Sequence, residues 1–168
     1  PHFPDTATTV SVDTQPPDEA SLLAPQCPII FQIDGVTSHS VVDAVRVIQR
    51  RWYLDGTPTS LSDCVPLDLP PGSPTHQAAL WAQDLPRILM YAYARAFLSS
   101  PRLRRALLRT GNSYLTYEPP LRGALTRAQR RLLARLVGRT LWRMRGLLLD
   151  GTTTLSRASV RFPLHRQH

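Results

Sequence analysis

Hydrophobic and polar positions along the chain change period several times, and each change predicts an element. Residues 1–26 are rich in Pro, Thr, Asp and Ala and hold neither a strand nor a helix period, so alone they predict a disordered acidic arm. Such an arm becomes ordered against another surface or a neighbouring subunit. The folded body is expected from about Cys27. Pro28-Ile29-Ile30-Phe31-Gln32-Ile33 reads as a short strand closed by an Asp34-Gly35 turn. Ser38 or Ser40 caps a helix running to about Trp52, with Val41, Ala44, Val45, Ile48 and Trp52 as its buried face.

Residues 54–75 carry Pro, Ser, Asp and Gly and predict a long loop, a feature that in compact domains is functional or packed by a partner. A helix follows from about His76 to Leu98, interrupted or kinked at Pro86. Ser100-Pro101 opens the next helix and Gly111 ends it. Ser113–Tyr117 alternates weakly and can form a second strand. The last helix is the clearest. Thr126 and Gln129 make a capping-box pattern, and Leu132, Leu133, Leu136, Val137, Leu141, Met144, Leu147 and Leu148 supply an apolar stripe up to Gly151. A short strand-like segment and an Arg/His tail complete the chain. Three segments result: an arm over 1–26, a domain over 27–150 and a basic tail over 151–168.

Composition sharpens this picture. A chain of 168 residues with 42% hydrophobic content can bury one core. No apolar run approaches the roughly 20 residues of a membrane span, and no signal-peptide pattern is visible. Cys27 and Cys64 lack metal-ligand spacing and read as two free thiols. His39 and His76 stand alone, which suits surface or capping roles; no metal or cofactor is expected. Trp52, Trp81 and Trp142 sit at apolar spacing and are expected in the core. Pro1 fits removal of an initiator Met, cleavage from a longer polyprotein or, less well, a catalytic terminal amine.

All basic side chains other than His are Arg, since the sequence holds no Lys. Residues 1–94 carry 4 Arg against 10 acidic groups and residues 95–168 carry 16 against 2, a split of −6 and +14 within the total of +8. An acidic half can therefore meet a basic half, within one chain or between neighbours. Arg127, Arg131, Arg135, Arg139 and Arg143 recur every four residues, drifting about 40° per step around the exposed side of their helix. With Arg102, Arg104, Arg105 and Arg109 they form a solvated face, a phosphate-binding stripe or a dock for acidic segments such as residues 13–19 of a neighbour. With Trp142 read as a core residue, aromatic residues do not interleave with these Arg, which weakens a base-stacking, single-strand reading.

Several of these segments share an order and spacing with one family. Trp81, Met90, Ala94-Arg95-Ala96-Phe97, the run Leu103–Gly111, Tyr114–Tyr117, Val137-Gly138 and Arg145 resemble successive motifs of the NADAR (YbiA-like) family. Phe31–Thr37 resembles the strand and turn before that family's first helix. The resemblance covers about residues 28–145, and it implies a mainly helical α+β single domain with a small β-sheet. Members cleave N-glycosidic bonds in riboflavin precursors or ADP-ribosylated molecules. The family's charged positions are replaced here: its Glu by Val42, its His by Asp43, its Lys residues by Gln49 and Ala96, and a later Glu by Tyr117, with Glu118 one residue late. Its Asp-x-x-Trp-Gly loop gives way to residues 119–123, and its Asn to Arg135. Tyr91, Tyr93, Tyr114 and Tyr117 would cluster around the former pocket.

Cleavage of an N-glycosidic bond needs charge stabilisation and a positioned water. Val42 supplies neither, and Asp43 is turned by about 100° from the site a residue earlier would use. The resemblance thus implies a pseudoenzyme, a structural or interaction protein. The Pro1 start, the arm and the split charge fit a component of a larger assembly, such as a protein docked on a viral particle, with a protein partner or further copies of itself. The alternatives are an N-glycosidase or reader of ADP-ribose, and a non-specific binder of RNA or another polyanion through its Arg-rich helices. Either a cytoplasmic or a virion location fits.

Overall fold

The computed structural model describes residues 9–12, 19–54, 64–119 and 125–150. It is a mixed, mostly helical fold. In chain order it has β1 (Thr9–Val12), a 3-10 turn (Glu19–Leu23), β2 (Phe31–Ile33), β3 (Val36–Ser38), α1 (Val41–Tyr53), α2 (Thr75–Ser99), α3 (Pro101–Arg109), β4 (Tyr114–Tyr117) and α4 (Arg127–Leu149). The expected closing Gly151 and the tail beyond it, the loop over 55–63 and part of the arm lie outside the described residues.

Local chemistry sets most element ends. The Asp34-Gly35 turn joins β2 to β3 as an antiparallel hairpin, pairing Ile33 with Val36. Both turn residues have positive φ, 49° and 77°, the pattern of a two-residue turn whose twist matches its strands. Ser40 caps α1 by accepting the Asp43 amide at 3.0 Å, while the Asp43 carboxylate accepts the His39 amide at 3.0 Å. Ser100 serves two helices. Its amide closes α2 on the Ala96 carbonyl, and its hydroxyl accepts the Leu103 amide that opens α3, with Pro101 at the first position. The Thr126–Gln129 capping box is complete in both directions.

α2 is the central element and packs against α1, α3, α4 and β2. Trp81, Leu85, Ile88, Leu89, Ala92, Tyr93, Ala96 and Phe97 line its buried side. It runs unbroken through Pro86 instead of stopping there. Pro86 is exposed, so the missing amide bond falls on the solvent side where water can satisfy the freed carbonyl.

Three expectations change. The folded body begins before Cys27: Ala20, Leu23 and Ala24 are buried, and β1 pairs in parallel with β4, matching Thr9 to Tyr114 and Val12 to Tyr117. That pairing joins residues a hundred positions apart, which no local period can signal. Second, Trp52 and Trp142 are 43% and 63% exposed, and of the three tryptophans Trp81 alone is in the core. Third, Leu132 is exposed, and the inner stripe of α4 is Leu133, Val137, Leu141, Met144 and Leu148.

Candidate functional site

The positions that replace the resembled family's charged residues are mostly packed. Val42 is buried at the start of α1, and its amide donates to the Pro25 carbonyl at 2.9 Å. Tyr117 is buried and donates to Gln26 Oε1 at 2.9 Å; Tyr93 is buried and donates to the Leu23 carbonyl at 2.7 Å. Residues 23–26 therefore lie between α1, α2 and β4 and are tied to each by a hydrogen bond. Ala96 and Gln49 are also buried, the latter donating Nε2 to the Asp68 carbonyl at 3.1 Å. Asp43 spends its carboxylate on the α1 cap, and Glu118 is exposed beyond β4.

The four tyrosines do not form one cluster. Tyr93 and Tyr117 share the Leu23–Gln26 segment. Tyr91 instead donates to Asp34 Oδ1 at 2.7 Å, and Tyr114 is 65% exposed. Burial, reinforced by the Asp34 carboxylate, pushes the Tyr91 phenol up to about 12. Burial also raises Tyr93 and Tyr117 well above their ordinary range. All three are neutral donors at neutral pH, which suits holding carbonyl, carboxamide and carboxylate oxygens rather than moving protons. Burial raises the Cys27 thiol too, more than the positive field of Arg102 lowers it, so it lacks the character of an activated nucleophile. Among the described residues, no group of His, Cys, Asp and Glu could hold a metal ion, and neither cysteine is in a disulfide.

An alkaline weakness follows. Above about pH 10 the unfolded chain's tyrosines lose their protons while the folded chain keeps them. The unfolded state then binds fewer protons, so stability is intact below about pH 10 and falls as pH rises, by up to about 1.4 kcal/mol per pH unit for each buried tyrosine. In a Tyr114→Phe background, which removes the exposed phenol, tyrosinate absorbance and circular dichroism, followed together from pH 8 upward, are expected to change in one transition. A Tyr93→Phe, Tyr117→Phe variant should show a shallower pH dependence of stability. Tyrosinate appearing well before unfolding would contradict this account.

The outer side of α4 has a different character. Arg127, Arg131, Arg135, Arg139 and Arg143 are all exposed, as are Arg102, Arg105 and Arg109 on α3. Arg104 is used structurally and donates to the Phe97 and Leu98 carbonyls at the end of α2. Between α4 and β4 lies a hollow of about 450 Å³, lined chiefly by apolar surface and including Tyr114, Leu115, Thr116, Arg135, Arg139 and Trp142. Gly138 forms part of its wall, where a Cβ would come within 3.1 Å of the Leu115 carbonyl oxygen; the glycine lets helix and strand approach this closely. On the other flank of Trp142 is a second hollow of about 400 Å³, bordered by Met90, Asn112, Arg143, Arg145 and Asp150.

Trp142 thus stands between two hollows, each edged by guanidinium groups. The expectation that no aromatic group accompanies the Arg row is overturned here, because Tyr114 arrives from another element and Trp142 faces outward. A signal existed in the sequence: Trp142 follows Arg135 by seven residues and Arg139 by three, which places the three on one helix face. The tryptophan's apolar character masked it.

Comparison of the chain with protein-family models, with curated proteins and with solved structures finds no match.

Proposed function

We propose that this chain is a non-catalytic interaction protein, built on a degenerate N-glycosidase-like fold of the NADAR type. The observation that carries the reading is the seating of residues 23–26 against Val42, Tyr93 and Tyr117. A sugar-binding pocket needs polar groups that converge on open space. At these positions the chain's own backbone and Gln26 take up the hydrogen bonds instead. The carboxylates nearest in sequence to the family positions, Asp43 and Glu118, are a helix cap and an exposed group. Function then belongs to the surface, where the outer side of α4 concentrates exposed charge and aromatic area.

Calorimetric titration of the full chain with ADP-ribose, followed by chromatography of the mixture, tests this reading. No heat of binding and no released base are expected. Saturable binding with release of adenine would overturn it and reinstate an N-glycosidase.

A further inference from the structure

We infer that the α4–β4 face binds single-stranded nucleic acid, with bases stacking on Trp142 and Tyr114 and phosphates held by Arg135, Arg139 and Arg143. The inference names the partner class of the interaction reading above and rests on that reading. Its first support is the charge of α4. From Arg127 to Leu149 the helix carries seven Arg and no acidic residue. Two of the seven, Arg130 and Arg145, are drawn inward, and the other five are exposed. A mixed-charge protein partner would be met by both signs; apart from Asp150 at the edge of the smaller hollow, the helix presents one sign, which selects a polyanion.

Spacing supplies the second support. Successive Arg in the row rise about 6 Å along the axis, the scale of one nucleotide of extended backbone. The third support is aromatic. Trp142 and Tyr114 are 63% and 65% exposed, whereas the indole of Trp81 is fully buried. Large rings left in water gain most from a ligand that offers flat apolar faces, and unpaired bases do so without regard to sequence. Trp142 lines both hollows, of about 450 and 400 Å³, so each offers room beside it. Arg139 and Arg143 border them, so a stacked base and its phosphate are met by adjacent groups on one helix. A duplex hides its base faces and would reach the Arg row alone, which is why the single strand is favoured.

The test uses the full chain and a fluorescein-labelled oligothymidine of about 20 nucleotides, read by anisotropy between about 50 and 200 mM salt. Binding is expected, with log K falling against log salt at a slope of about −2 for three phosphate contacts. Trp142→Ala should weaken binding about tenfold or more, with Trp142→Phe recovering most of the loss. Arg135→Gln with Arg139→Gln should reduce the slope by about 1.4. All these side chains are exposed, and circular dichroism verifies that each variant is folded. Absence of binding at the lowest salt overturns the inference, as does binding that Trp142→Ala leaves unchanged. Equal affinity for duplex, or for polyglutamate in place of the oligonucleotide, also overturns it and assigns the face to polyanions in general or to an acidic protein. A chain that ignores both the oligonucleotide and ADP-ribose loses this inference alone, because ADP-ribose cleavage is what the non-catalytic reading forbids.

Discussion

Trp81→Ala is expected to lower the unfolding free energy by about 3–5 kcal/mol, a large part of the roughly 5–15 kcal/mol that holds a domain of this size together. The indole is fully buried in the second turn of α2. Its Nε1–H donates to the Leu67 carbonyl at 3.0 Å, and its ring meets Tyr53 edge-on with centroids 5.1 Å apart. Truncation opens a cavity and leaves that carbonyl without its donor. The damage spreads because Cys64, Val65, Leu67 and Leu69 are all buried in an irregular segment, which has no ladder of backbone bonds to hold it once the indole is gone. Trp81→Phe keeps much of the packing but not the hydrogen bond, and should cost about 1–3 kcal/mol. Urea unfolding measures both; a loss under about 1 kcal/mol for the alanine variant would show that the indole does not organise this region.

The second large effect is expected at Arg145, which belongs to α4 but not to its exposed Arg row. Arg145 is 6% exposed. It donates to Thr110 Oγ1 at 2.9 Å and to the Ser113 carbonyl at 2.8 Å, and the Thr110 hydroxyl in turn donates to the Leu107 carbonyl at 2.6 Å. This chain of bonds fastens the turn between α3 and β4 onto α4. Burial lowers the affinity of the guanidinium for its proton, yet an Arg keeps its charge throughout the physiological range. Arg145→Ala removes two charge-assisted donors and leaves the Thr110 and Ser113 oxygens short of them, for a loss of about 2–4 kcal/mol. Both bonds leave one nitrogen, Nη1, so Arg145→Lys should recover part of the loss, limited by the stronger hydration that a buried ammonium must give up. The exposed neighbour Arg143→Ala serves as a comparison and should stay within about 0.5 kcal/mol of the parent. Equal melting temperatures for Arg145→Ala and Arg143→Ala would contradict the proposed anchoring role.

The candidate surface was half legible before the fold was known. A four-residue Arg repeat is visible by counting, and so is the single sign of charge on the last helix. Its aromatic component was not, because tryptophan at helical spacing has the same hydrophobic signature inside or outside a core. One residue decides the matter. Leu141 takes the inward position on α4, and Trp142, turned about 100° from it, must face elsewhere. Tyr114 joins the face only because β4 packs beside α4.

Local chemistry determined the element boundaries. Ser40, Ser100 with Pro101, Thr126 with Gln129, and Asp34 with Gly35 act through bonds or dihedral preferences spanning at most four residues, so they read directly from the chain. The buried stripes of α1 and α4 followed from period, with errors at Trp52, Leu132 and Trp142. Only the tertiary structure decided the rest. The parallel pairing of β1 with β4, the burial of Leu23 and Ala24, and the seating of residues 23–26 against Val42, Tyr93 and Tyr117 all join segments far apart in the chain. Their stability comes from surfaces that exist only after the helices have packed. A proline-rich stretch with no period of its own carries no local trace of such contacts, since what orders it is the shape of its neighbours and the carbonyls they require.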